Sequence, residues 1–225
     1  MVGVSPKHPD HKRSFIPTSE LSRIINVESV VEILRACEKS RVRVPGTSFR
    51  TSEEIESDAR RVCGISEQDR PRSDGEPKSY RKILAVLLLI ERENRIDHFV
   101  QEGVSDDDLP LIKVKEQPGT QRESFSLRRG HASDSPVRCI NGYKWSEKTQ
   151  ADFYKTQWKM LAPTFTLDRR GKVQHYCFFD DLILPFTSWK LVAASGMGRV
   201  YKTEIHQDHH TFPNVSVSRT PRPVV

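Results

Sequence analysis

The stretch "ILAVLLLI", Ile83 to Ile90, places eight apolar residues in succession. Wound as a helix, it is apolar nearly all the way round, so the chain must bury it on most sides. Eight residues are too few to cross a bilayer, which needs about 20, so the run predicts a buried helix segment. Ser79 is placed to cap its start. Asn94 and Asp97 predict a second helix after a tight break, and Gly103 ends it. The remaining helical segments offer only narrow apolar stripes. An exposed apolar patch on residues 79–103 is therefore expected, open to self-association or to a protein partner.

The segments before it are also helical. In "TSELSRIINVESVVEILRACEKS", Leu21, Ile24, Ile25, Val30, Ile33, Leu34 and Cys37 recur at helical spacing. Ser19 is a candidate N-cap, and Asn26 restarts a second helix. Thr51 with Glu54 forms a capping box before "IESDARRVCG", in which Ile55, Ala59 and Val62 share a face and Gly64 fits the C-terminal turn. "SEQDRPRSDGEPKS" has the composition of a linker.

Beyond Gly103 the pattern changes. The three aspartates of "VSDDDLPLIK" lack the glycine and the closing glutamate of a calcium loop and read as a solvated acidic turn before a strand. Residues 116–142, rich in Gly, Ser, Arg and Pro, read as a mobile loop, where Ser126, Ser133 and Ser135 near Arg128 and Arg129 are candidate phosphorylation targets. "KTQADFYKTQWKMLAPTF" restores order, with Phe153, Trp158 and Leu161 as core. "VQHYCFF" favours a strand, and "SWKLVAASGMGRVYKTEIH" reads as two strands about a glycine turn. The expected fold class is α+β, helices first and then a small antiparallel β piece. The expected organisation is a tail at 1–17, a helical leader at 18–105, a linker at 106–145, a mixed segment at 146–192 and a glycine-loop segment at 193–225.

Charge and cysteine usage exclude several functions. The net charge is +6, but basic and acidic residues interleave, as in "RTSEEIESDARR", with no aromatic-studded basic patch. Nucleic-acid binding is not expected. Cys37, Cys63, Cys139 and Cys177 are far apart with no C-x-x-C pair, and the N-terminus has no apolar signal region. Free thiols in a reducing compartment, cytoplasmic or nuclear, are expected, with no membrane association. His206, Asp208, His209 and His210, with His175 and Cys177 upstream, match no zinc spacing, and solvent exposure is expected for the histidines. His175 and Cys177 lack the third partner that a catalytic dyad needs.

The remaining motif is "AASGMGRV". A kinase phosphate loop, G-x-G-x-x-G-x-V, joins two antiparallel strands and lets the backbone approach ATP. Aligned on Val200, Gly198 is its third glycine, Ser195 and Ala193 replace the other two, and Gly196 fills a free position. A plain turn is the competing reading. "LILPFTSWKLV", followed by "GMGRVYKTEIHQDHH", resembles the entry to the kinase domain in filamentous-fungal serine/threonine kinase-like proteins. The resemblance extends over most of 50–212 and is densest at 183–210. It implies a helical leader ahead of a kinase N-lobe, ATP as cofactor, Val200 against the adenine, Gly198 in the loop and Gly196 beside the phosphates. Lys202 is the only lysine after Gly198, and no His-Arg-Asp or Asp-Phe-Gly follows. The expectation is a truncated kinase-like protein without phosphotransfer, magnesium not being held. The alternatives are a non-catalytic helical module that binds a protein partner, and a gene-model fragment.

Overall fold

Asn26 divides the first helical stretch in two. The computed structural model describes residues 13–40, 49–65, 77–116, 125–130, 136–142, 145–167, 171–172, 176–196 and 198–212. Helix α1 is Thr18–Ile24 and α2 is Val27–Lys39, the latter opened by a reciprocal capping box between Asn26 and Ser29. Helix α3, Ser52–Val62, starts on the expected Thr51–Glu54 box and buries Ile55, Ala59 and Val62. Gly64 follows its C-terminus with φ +66°, a conformation that a Cβ would strain. Arg50 ties three elements together. Its guanidinium pairs with Glu38 of α2 at 3.0 Å, with Asp58 of α3 at 2.8 Å and with Asp97. Asp97 lies on α5, Ile96–Glu102, which ends at Gly103 with φ +70°.

The apolar run forms α4, Arg81–Leu89. Ile83, Leu84, Ala85, Val86 and Leu87 are fully buried, enclosed by α1, α5 and α7, Glu147–Gln157. The broad exposed patch expected on this helix is absent: Leu88 is half-buried, and Leu89, 40% exposed, is the one open position of the run. The cover comes from residues that lie outside any helical stripe. Phe99 stacks on Phe153 of α7 at 5.6 Å, and Trp145 closes edge-on at 6.1 Å from Phe153.

The acidic turn has a structural use. Ser79 accepts from the Arg81 amide at 3.3 Å, but the main acceptor at the start of α4 is the Asp106 carboxylate. It takes the Lys82 and Ile83 amides, each at 3.1 Å, and the Ser79 hydroxyl at 2.8 Å. Burial pushes its pKa up against those three donors, which pull it down. Asp108 closes a box with Ser105 and pairs with Arg129 at 3.3 Å. Only Asp107 is exposed, so the turn is largely packed rather than solvated.

Strand β1, Leu111–Lys115, follows and pairs antiparallel with β2, Phe125–Arg129, with Leu111 opposite Arg129. Residues 125–129 and helix α6, Arg138–Asn141, give order to part of the stretch expected to be a mobile loop. The apolar positions Phe125 and Leu127 are sparse among Ser and Arg, which hides the strand in the sequence. Two side-chain amides extend this small sheet. Buried Gln157 accepts from the Leu111 amide and donates to its carbonyl, at 2.9 and 3.0 Å. Asn141 does the same for Leu127, at 2.8 and 2.7 Å.

The second sheet is β3, Phe186–Ser195, paired antiparallel with β4, Gly198–Ile205. Among the described residues, seven helices and two two-stranded antiparallel sheets make the fold α+β. Tyr176–Phe179 are not in a strand, a correction to the sequence expectation. Their bulk serves an aromatic cluster at the hairpin base, where Phe165 stacks on Phe186 at 6.0 Å and meets Tyr176 edge-on at 5.3 Å. Phe153 and Trp158 are buried as expected, and Leu161 is half-buried. Among the described residues no helix is long and apolar enough to cross a membrane.

Candidate functional site

The three nominated residues lie together at the tip of the β3–β4 hairpin. Ser195 pairs with Gly198, and Gly196 lies in the turn that follows β3. A Cβ built on Gly196 or on Gly198 would meet nothing within 4 Å, and neither residue has φ in the left-handed region. Glycine is therefore required at these positions neither by crowding nor by backbone conformation. Val200, the third residue of the returning strand, is 60% exposed, and Leu191 and Val192 across the hairpin are 52% and 64% exposed. Register shifts between Phe186 and Ser188 and between Leu191 and Ala193 bend β3. Ala193 and Ser195, which stand where the kinase pattern has glycines, are ordinary strand positions paired with Val200 and Gly198.

The base of the hairpin is fixed by the segment "IHQDHH". Exposure was expected for its histidines, but His209 is 2% exposed. Its Nδ1–H donates to the Pro163 carbonyl at 3.2 Å, and Phe15 packs edge-on at 5.2 Å. Nε2 is buried with no hydrogen-bond partner among the described residues. Burial depresses the His209 pKa, and the His206 charge adds to that, against the Pro163 and Ala162 carbonyls and Asp208. A proton on Nε2 would be a buried donor without an acceptor. Asp208 reaches back to the first helix, where its carboxylate accepts from the Ser19 amide at 3.0 Å and from the Ser19 hydroxyl. Ser19 is thus a donor in the first turn rather than the N-cap, a position held by Pro17. Burial alone would raise the Asp208 pKa, but the Ser19 donors and the neighbouring histidines hold it low. Backbone bonds complete the anchor. Phe165 donates to the His209 carbonyl at 2.8 Å, and Thr211 donates to the Phe165 carbonyl at 3.0 Å.

The other nominated groups separate. Among the described residues no three His, Cys, Asp or Glu side chains converge to hold a metal ion. His175, Ser133 and Ser135 lie outside the described residues. Ser126 is buried in β2, with its hydroxyl 3.3 Å from the Arg128 guanidinium, so it is closed to modification in the folded chain. Cys37, Cys63, Cys139 and Cys177 form no disulfide. Burial, followed by the Glu102 charge, raises the Cys139 pKa strongly, and burial does the same at Cys63 and Cys37. None of these three is poised as a thiolate nucleophile.

One feature lies outside every sequence motif. A cavity of about 460 Å³ opens beside α7, lined in part by Arg13, Lys113, Lys155, Lys159 and Trp158. Its lysines come from two distant segments, and only the i, i+4 repeat of Lys155 and Lys159 is visible in the sequence. No protein-family model, curated protein or solved structure matches the chain.

Proposed function

We propose that the β3–β4 hairpin is the ATP-phosphate loop of a kinase-like protein, akin to the filamentous-fungal serine/threonine kinase-like family that its sequence resembles. The observation that carries this reading is the open space around Gly196 and Gly198. Two glycines with no conformational or packing duty are accounted for if a ligand's phosphates approach the backbone there. Val200, exposed one residue beyond Gly198 and Arg199, is then free to lie against an adenine ring. The hairpin is antiparallel, as a kinase phosphate loop requires.

Binding is expected without transfer. Lys202 is the only lysine after Gly198, and the 225 residues contain neither His-Arg-Asp nor Asp-Phe-Gly. A base for the nucleophile and carboxylates for magnesium are therefore not supplied by these residues. A relative with those parts would be an ATP-dependent serine/threonine kinase. Four cysteines that form no disulfide suit a reducing compartment, cytoplasmic or nuclear. The test is hydrogen exchange with and without millimolar ATP. The reading expects slowed exchange confined to residues 193–205 and no phosphotransfer above a buffer blank. ATP that leaves those amides unchanged, or magnesium-dependent labelling that survives repurification, overturns it.

A second reading rests on Leu191, Val192 and Val200, apolar and exposed on a two-stranded sheet whose outer edges pair with no third strand among the described residues. On this reading the chain is a non-catalytic interaction module, and the hairpin adds to a partner's sheet or to a second copy. The helical leader contributes little apolar surface to such contacts, because α4 is closed except at Leu89. Sedimentation of wild type against Val192→Lys separates the readings. A dimer lost in the variant supports this one, and a monomer in both removes self-association from it.

A further inference from the structure

The cavity beside α7 has the composition of an anion site. Lys155 on α7 and Lys159 on the turn that continues it are four residues apart, and neither has an ion-pair partner among the described residues. Like charges at this spacing disfavour each other on a helix face. Lys113 of β1 adds a third ammonium, with its Nζ 4.1 Å above the Phe125 ring. The one carboxylate on the wall, Asp181, is already engaged. Arg13 lies 3.7 Å from its Oδ1, and the Tyr154 hydroxyl donates to its Oδ2 at 2.9 Å. Four cations against one carboxylate leave the wall with a net charge of +3.

The remaining polar groups of the wall donate. Burial, then the hydrogen bond to Asp181 and its charge, hold the Tyr154 phenol up at about 12, so it remains protonated. Trp158 pulls slightly the other way but stays short of hydrogen-bond geometry. Its buried indole N–H has no acceptor among the described residues. Ala151, Ile183 and the Trp158 ring supply an apolar floor. The volume, about 460 Å³, falls in the usual range for small-molecule pockets, roughly 300–1,000 Å³.

We propose that this cavity binds a small organic phosphate, with Lys113, Lys155 and Lys159 on the phosphoryl oxygens and the Tyr154–Trp158 wall against the organic group. The site is separate from the glycine hairpin and does not depend on nucleotide binding there. It is tested by calorimetric titration of the full chain with phenyl phosphate at low salt, beside inorganic phosphate and a phosphotyrosyl peptide. Phenyl phosphate should saturate one site, bind at least several-fold tighter than inorganic phosphate, and weaken several-fold when salt rises to physiological strength. Lys155→Gln with Lys159→Gln should cost tenfold or more in affinity while leaving the unfolding midpoint unchanged. Trp158→Phe, which keeps an apolar ring against the organic group, should cost little. If the lysine variant misfolds, the salt dependence and the preference over inorganic phosphate in the wild type still decide. Equal affinity in wild type and a folded lysine variant overturns the site. So does inorganic phosphate binding as tightly as phenyl phosphate, or a peptide that binds where phenyl phosphate does not.

Discussion

Among the described residues there are two antiparallel hairpins, and they are treated in opposite ways. In β1–β2, Leu111 and Leu127 are fully buried, and two side-chain amides, Gln157 and Asn141, take up backbone groups of the strands. In β3–β4, Leu191, Val192 and Val200 are exposed, and no third strand covers either edge among the described residues. A two-stranded hairpin in water is marginal unless something packs on it. The first hairpin is finished by its own chain. The second is anchored only at its base, by the aromatic cluster and the His206–His210 segment, and presents its glycine tip. That contrast separates residues whose identity the fold requires from residues on which the described structure places no packing demand.

The largest expected effect lies in the body. Phe153→Ala removes a fully buried ring that packs on Phe99 and Trp145, and should cost about 3–5 kcal/mol by denaturant unfolding. Val200→Ala should stay within about 0.5 kcal/mol of wild type. Comparable losses at the two positions would erase the distinction. Gln157→Leu keeps much of the volume but strands the Leu111 amide and carbonyl, so a loss of about 2–4 kcal/mol is expected. Truncation within the second hairpin should have no effect of that size.

Asp208→Ala comes next. It leaves the first turn of α1 without its acceptor, and about 1 kcal/mol is expected, the usual scale of a lost N-terminal cap. Because Asp208 joins the hairpin base to α1, hydrogen exchange should also quicken in β3 and β4. A stability change without that quickening would place the coupling elsewhere.

The smallest effect is on pH dependence. The His209 pKa is depressed in the fold, so the unfolded chain binds the proton more readily. The contribution of His209 is present in full above its unfolded value of about 6.5 and is lost as pH falls from there toward the lower folded value. His209→Gln should flatten unfolding free energy against pH in that window. A variant that retains the wild-type slope would assign it to other groups, His206 and His210 first.

These elements also mark how far the sequence reaches. The restart at Asn26 and the Thr51–Glu54 cap were legible because each is set within four residues. The helices of the body and the glycine hairpin were legible for the same reason, periodicity and turn chemistry being local. Asp106 was read as solvated, and no cap was read at Asp208, because the amides they cap lie 23 and more residues away in one case and 189 in the other. Strand β2 was missed because Leu127 is the one aliphatic residue in "FSLRR", and its ladder depends on β1 and Asn141. Burial of His209 depends on Phe15 and Pro163, from the other end of the chain and from the middle. The lysine cavity joins β1 to α7, a pairing with no local signature.

The central claim is that the glycines of the second hairpin are free of structural duty and serve a ligand. The most direct measurement pairs ATP affinity with the unfolding midpoint for Gly196→Val with Gly198→Val against wild type. The prediction is a midpoint close to wild type, since an added Cβ meets nothing within 4 Å and neither position has a left-handed φ, together with a loss of ATP affinity of tenfold or more. A lowered midpoint, or ATP bound equally by both proteins, would contradict it.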